Sequence, residues 1–228
     1  MIDYQSAFGA GHDNYRFVGD TTGNTELPAQ LDVLSNGQVV AVYGDWVSDS
    51  SYNHQQGKNT FGFANDCGLV SCQDVILQHG IHVSEADVCR HAIQNSECDD
   101  AMNPKFGASP DNWGMTSASD QARLLNDYGI PAQTKSGETI DTLASQVQSG
   151  DHVILSVNAG VLWGDPKYYE GGSANHAVTV TSVVRDYQTG QVLGVVLNDS
   201  GNGKTEFVSA DTLQQAWCNA GGNCVVAK

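Results

Sequence analysis

The chain has 228 residues, 40% of them hydrophobic and only 16% charged, which is enough apolar material for the core of one large domain. It carries 26 acidic against 10 basic residues, a net charge of −16. That balance excludes a phosphate-backbone binder, which needs clustered Lys and Arg, and docking on an anionic membrane surface.

The first 60 residues are rich in Gly, Asn, Asp and Ser and begin without the basic and apolar regions of a secretory signal. Within them, LDVLSNGQVVAVYGDW reads as a β-hairpin turning at Asn36-Gly37, a favoured type I′ pair. From Cys67 the periodicity becomes helical: Leu69, Cys72 and Ile76 share one face, and Gly80 closes the run. Ser84, with Asp87 three residues on, predicts the capped start of a second helix. A third is predicted over Ser119–Tyr128, and a fourth over Ile140–Val147, stopped by Gly150. The β-branched runs 152–157, 176–184 and 192–198, and the short TEFVS, predict strands. A last helix is predicted over Asp211–Ala220. Helices first and an antiparallel sheet second is an α+β order. The division expected is an N-terminal hairpin extension, residues 1–50, packed on a main domain, 51–228. No run approaches the roughly 18 apolar residues of a membrane span.

The chemistry concentrates at GFANDCGLVSC, residues 62–72. A thiolate is the useful nucleophile, and a helix N-terminus or an imidazolium favours it. Cys67 is placed to open a helix, where unpaired backbone N–H groups stabilise negative charge. Gly68 is expected to leave room for a substrate carbonyl, and the Cys67 N–H to help hold an oxyanion. A negative Asp66 works against the thiolate, so a base is needed elsewhere. NHAVTVTSVVRDYQTGQVLGVVLNDSG supplies one: His176 and Asp199 are equidistant from a midpoint between Tyr187 and Gln188, inside the predicted turn. Antiparallel pairing then sets an imidazole beside a carboxylate, which orients a base. Asn198 is the alternative third member.

The motifs DCGLVSC, NHAVTV and VVLNDSG resemble those of the papain-like cysteine peptidases, and more narrowly the bacteriocin-processing (double-glycine leader) peptidases of bacterial secreted proteins and toxins. The resemblance spans roughly residues 50–220. It implies an α+β papain-like fold with the nucleophile helix packed on an antiparallel sheet. It also implies Cys67 as nucleophile, His176 as general base and Asp199 as orienting residue. That family places an oxyanion-hole Gln about six residues before the cysteine, where this chain has Phe61. Gln56 or Asn65 is the candidate for that role, with Asn59 a further one. The family's Pro after the Asp is Ser200 here.

Six cysteines, 67, 72, 89, 98, 218 and 224, permit a disulfide framework. The short Gly-rich loop CNAGGNC makes Cys218–Cys224 the expected bridge, with Cys89–Cys98 second. No Cys pair has zinc-finger spacing. Trp163, Tyr168 and Tyr169, in the loop before His176, are candidates for a cleft wall.

The function expected is a cysteine-nucleophile amide hydrolase, a peptidase working through an acyl-enzyme, with a protein or peptide substrate, no cofactor and no nucleic acid. The alternatives are a toxin-type glutamine deamidase or transglutaminase, or a catalytically silent binding module. A secreted location, as part of a larger polypeptide, completes the expectation.

Overall fold

The computed structural model describes residues 2–3, 16–18, 29–34 and 36–228. Two short strands, β1 (Ile2–Asp3) and β2 (Arg16–Val18), precede the expected hairpin of β3 (Ala29–Val33) and β4 (Val39–Gly44). The hairpin turn differs from the two-residue type I′ expected. Val33 pairs with Val39, the Gly37 N–H donates to Leu34 O, and Gly37 alone of the Asn-Gly pair has positive φ, +85°. A type I′ turn needs both residues there, so the connection is one residue longer, with Gly37 taking the left-handed position.

A single turn of helix, α1 (Trp46–Asp49), leads to the helical layer. Helix α2 (Cys67–Gln78) buries Leu69, Cys72, Val75 and Ile76 completely. Helices α3 (Glu85–Gln94) and α4 (Ala118–Asp127) open with full capping boxes, Ser84 with Asp87 and Ser117 with Asp120. Strand β5 (Ala132–Lys135) intervenes before α5 (Ile140–Gln148), which Thr139 and Thr142 cap in the same way. Each cap satisfies orphan N–H groups and contributes about 1 kcal/mol.

The sheet is completed by β6 (His152–Val157), β7 (His176–Asp186), β8 (Val192–Asp199) and β9 (Lys204–Ser209), with helix α6 (Ala159–Trp163) following β6. The single last helix expected over 211–220 is instead one turn of α-helix, α7 (Ala210–Leu213), running into a π-helical turn, Gln214–Cys218. That wider turn buries Trp217 fully, and the Trp217 indole N–H donates to Asn223 O. Strand β10 (Cys224–Ala227) then pairs with both β5 and β6.

All described pairings are antiparallel, in the order β1-β9-β8-β7-β4-β3-β2, with β6 alongside β7. Alternation along β6 splits the interior into two cores. Val153, Leu155 and Val157 face α5 and Trp217, whereas Ile154 joins Ala177, Val225 and the apolar faces of α2, α3 and α4.

Strand β7 organises the sheet. Along one edge its first half, residues 176–180, pairs with β6 and its second, 182–186, with β4. The changeover falls at Thr181, where the ladder with β8 shifts between Val180 and Ser182, a one-residue bulge. Gly44, at φ +106°, closes against it: a Cβ there would collide with the Thr181 carbonyl. This bulge decides which residue meets His176. Below it Thr179 pairs with Asn198, which sets Asp199 opposite Val178 and on the face of His176. Without the extra residue the register would turn Asp199 to the other face.

All six cysteines are free thiols, so the expected Cys218–Cys224 and Cys89–Cys98 bridges are not formed. The Cys89 thiol faces the Asp66 carboxylate at 3.7 Å, and Cys98 lies in the helical core. Cys224 points into the sheet core, with Cys218 packed at its margin.

Candidate active site

Cys67 is the first residue of α2, partly exposed, at the helix end where the first N–H groups have no intrahelical partner. His176 is the first residue of β7 and almost fully buried. The two elements are tied one turn further in, where Thr179 Oγ1 donates to Ser71 O. The Cys67 side chain is near enough to the His176 ring to interact with it, and His176 Nε2 lies 2.8 Å from Asp199 Oδ1. With Nε2 engaged by the carboxylate, Nδ1 is the nitrogen left for sulfur. The structure thus brings Cys67, His176 and Asp199 into one chain of contacts.

Asn198, the alternative third member, is turned away from the imidazole. Its amide donates to Asp49 O and Asp74 Oδ2, and its carbonyl accepts from Thr205 Oγ1. Successive strand residues face opposite sides, so only one of the pair can serve His176.

The electrostatics follow from who donates to whom. Burial disfavours the charged imidazole of His176, but the bonds and charges of Asp199 and Cys67 outweigh it and push the ring up to about 10. Burial also disfavours ionised Asp199. The His176 bond and charge, with bonds from Trp163 Nε1 and the Gly201 N–H, bring it below the usual carboxylate range. Beside Cys67, Asp66 is pushed up to about 7 by burial and by its contact with Glu85. Its oxygens accept from the Gly57 N–H and Asn59 Nδ2.

Three further residues build the site. Trp163 donates its indole N–H to Asp199 Oδ2 at 2.6 Å and lays its ring 5.1 Å from that of His176. Gly201 makes room for it, since a Cβ there would meet Trp163 Cζ2 at 2.5 Å. Tyr168 packs edge-on against Trp163. Asn158, fully buried, donates to Tyr169 O and Ser173 O, and Asn175 donates to Tyr168 O while accepting from the Ala159 N–H. These two amides pin the aromatic loop over the imidazole. The sequence signal for them was faint: two Asn at the ends of a turn-rich segment.

The oxyanion candidates separate. Gln56 bridges the two halves of the site: its Nε2 donates to Ala64 O, its backbone N–H to Ser200 O, and its Oε1 accepts from Ser200 Oγ. Asn65 is exposed and donates to Asp111 O, in a different loop. Asn59 is committed to Phe63 O, Asp66 and Glu85. The room expected at Gly68 is filled: a Cβ there would run into Thr116 Oγ1 and Gln121 Nε2. Glycine allows close packing of α2 against the start of α4 and opens no path for substrate.

Among solved structures, the chain is similar to a putative C39-like peptidase from Bacillus anthracis, with TM-score 0.51 and 18% identity over 78% of this chain and 95% of that one. The fold is therefore the α+β, papain-like fold of these peptidases. A double-glycine-motif protease of an AMS/PCAT transporter, solved with its leader peptide, overlaps at TM-score 0.45 and 16% identity, covering 72% of this chain and 85% of that one. No family model matches the sequence. Over 199 residues it is 32% identical to the uncharacterised proteins Rv1268c of Mycobacterium tuberculosis and Mb1299c of Mycobacterium bovis, covering 78% of this chain and 81% of each relative. The chain belongs to the same family as these mycobacterial proteins.

Proposed function

We propose that the protein is a cysteine peptidase that cleaves a peptide or protein amide through an acyl-enzyme. The observation that carries this reading is the continuous contact chain from the Cys67 thiol through His176 to a fully buried Asp199. Cys67 sulfur attacks the scissile carbonyl carbon, and His176 delivers a proton to the departing amine. A water, deprotonated by the same imidazole, then displaces the sulfur and releases the acid. Asp199 holds the ring in the productive tautomer and favours its charged form. The Cys67 backbone N–H is one oxyanion donor, and Gln56 Nε2, released from Ala64 O, is the other.

The test is turnover of a diverse peptide library, read by mass spectrometry for both new termini and Gln-to-Glu conversion. New termini that disappear in Cys67→Ala support peptidase action. Conversion of glutamine without cleavage would replace it by deamidation. No product from the wild-type chain, with the fold intact, would leave the binding-module reading in its place.

A further inference from the structure

On the far side of the helical layer, the end of α3, the turn after it and the end of α4 bring three ligand-type side chains together. His91 Nε2 lies 3.2 Å from Asp127 Oδ2 and 3.7 Å from Glu97 Oε2, and the three atoms lie within 4.8 Å of one another. We propose that His91, Glu97 and Asp127 form a Zn²⁺ site that clamps the C-terminal ends of α3 and α4 together.

Glu97 is the residue that demands an explanation. It is only 2% exposed, yet its Oε2 accepts no hydrogen bond and is aimed at His91. An uncompensated buried carboxylate oxygen is costly, and a bound cation is one of the few things that repair it. The local backbone makes the placement specific. Helix α3 ends in a turn where Ser96 takes φ +55°, the Ser96 N–H bonds to Ile93 O and the Glu97 N–H to Ala92 O. In that motif the residue in the Glu97 position usually turns an apolar side chain back onto the helix. Here the turn delivers a carboxylate to the same buried place.

The other groups fit a cation. Asn95 Nδ2 lies 3.0 Å from His91 Nε2, an amide donor that the lone pair of a neutral, metal-binding imidazole accepts. Asn95 also bonds His91 O, which keeps it anchored when the ion takes its place at Nε2. Arg123 Nε stands 3.9 Å from Glu97 Oε1, leaving Oε2 as the single ligand oxygen. An imidazole with two carboxylates suits Zn²⁺ better than Ca²⁺ or Mg²⁺, which prefer all-oxygen sets. Tetrahedral zinc with ligand bonds of about 2.1 Å needs ligand atoms about 3.4 Å apart, close to the two distances from His91 Nε2. Water fills the fourth position. The net charge of −16 draws cations toward the surface in any case.

Calorimetric titration of the full chain with ZnCl₂ tests this, carried out in a Cys67→Ala background to remove the competing thiolate–imidazole pair. The expected result is one equivalent bound, with a rise in melting temperature. Affinity should weaken at least about tenfold in Glu97→Gln and in His91→Ala. Because Glu97 is buried, Asp127→Asn, at a half-exposed position, serves as the variant least able to disturb folding, and should weaken binding similarly. Cobalt substitution should give a visible spectrum without thiolate-to-metal charge transfer. No binding in the Cys67→Ala chain, binding unchanged in Asp127→Asn and His91→Ala, or a thiolate signature would each overturn the assignment.

Discussion

Asp199 and Asp66 are both fully buried and both adjoin the Cys67–His176 pair, yet they sit at opposite ends of the carboxylate range. Asp199 accepts four bonds, from His176, Trp163, the Gly201 N–H and Asn202, and one of those donors is a cation. Asp66 accepts from a backbone N–H, an amide and the weakly donating Cys89 thiol, and faces the acid Glu85. Burial pushes both toward the neutral form, so the donor set decides the outcome. The site therefore keeps full negative charge behind the imidazole, where it holds the ring in its charged form. Next to Cys67 it lets a carboxylate take up a proton, which lessens the repulsion a thiolate meets there.

Removing a reacting group should have the largest effect. Cys67→Ala and His176→Ala should each lower kcat by on the order of 10³-fold or more, and the double variant should lose little beyond either, because the two act as a unit. Asp199→Ala should cost about 10²-fold, since an orienting group contributes less than the groups it orients. The same variant tests the linkage. A ring raised from 6.5 to about 10 contributes stability that is complete below 6.5 and is lost as pH rises through about 10. The Asp199 contribution is present above 3.8 and is lost as pH falls through its lowered folded value. Urea midpoints of the wild type and Asp199→Ala should therefore differ most near neutrality and converge toward both extremes.

Trp163→Phe keeps an aromatic ring beside His176 but deletes the N–H that faces Asp199. Loss of one such bond, about 1.4 kcal/mol, corresponds to about tenfold in kcat, with KM little changed. Asp66→Asn should have the smallest effect on turnover and show itself in stability. A carboxyl raised from 3.8 to about 7 contributes stability that is lost as pH climbs through that window. The Asn variant should lack that slope in urea unfolding. A large loss of turnover in Asp66→Asn, with Asp199→Ala near wild type, would invert the comparison.

Much of this arrangement was legible in local pattern. Cys67 at a helix start, the Ser84 capping box and strands β6 to β9 each follow from a few neighbouring residues. What was not legible depends on contacts distant in sequence. The midpoint rule put Asp199 directly opposite His176. In the structure it faces Val178, because the hairpin turns one residue later than that midpoint, with the Asp186 N–H bonded to Gln191 O, and the opposite register shifts at Thr181 and Leu193 cancel. The displacement is two residues, which preserves the face, and so the pair still meets. Asn198 could be rejected only once that face was known. Short strands β5 and β10 escaped notice because four residues carry little periodicity and pair only with remote partners. Gly68 and the free Cys218 and Cys224 misled for one reason: a flexible or small residue is compatible with several roles, and packing selects one.

The central claim, that Cys67 is a nucleophile activated by His176, is tested most directly by timed alkylation of the native protein with iodoacetamide, followed by peptide mapping of all six cysteines. Cys67 should be modified first at neutral pH, well ahead of the buried Cys72, Cys89, Cys98 and Cys224, and His176→Ala should slow it sharply. Labelling of Cys67 no faster than half-exposed Cys218, or at a rate indifferent to His176→Ala, would contradict it.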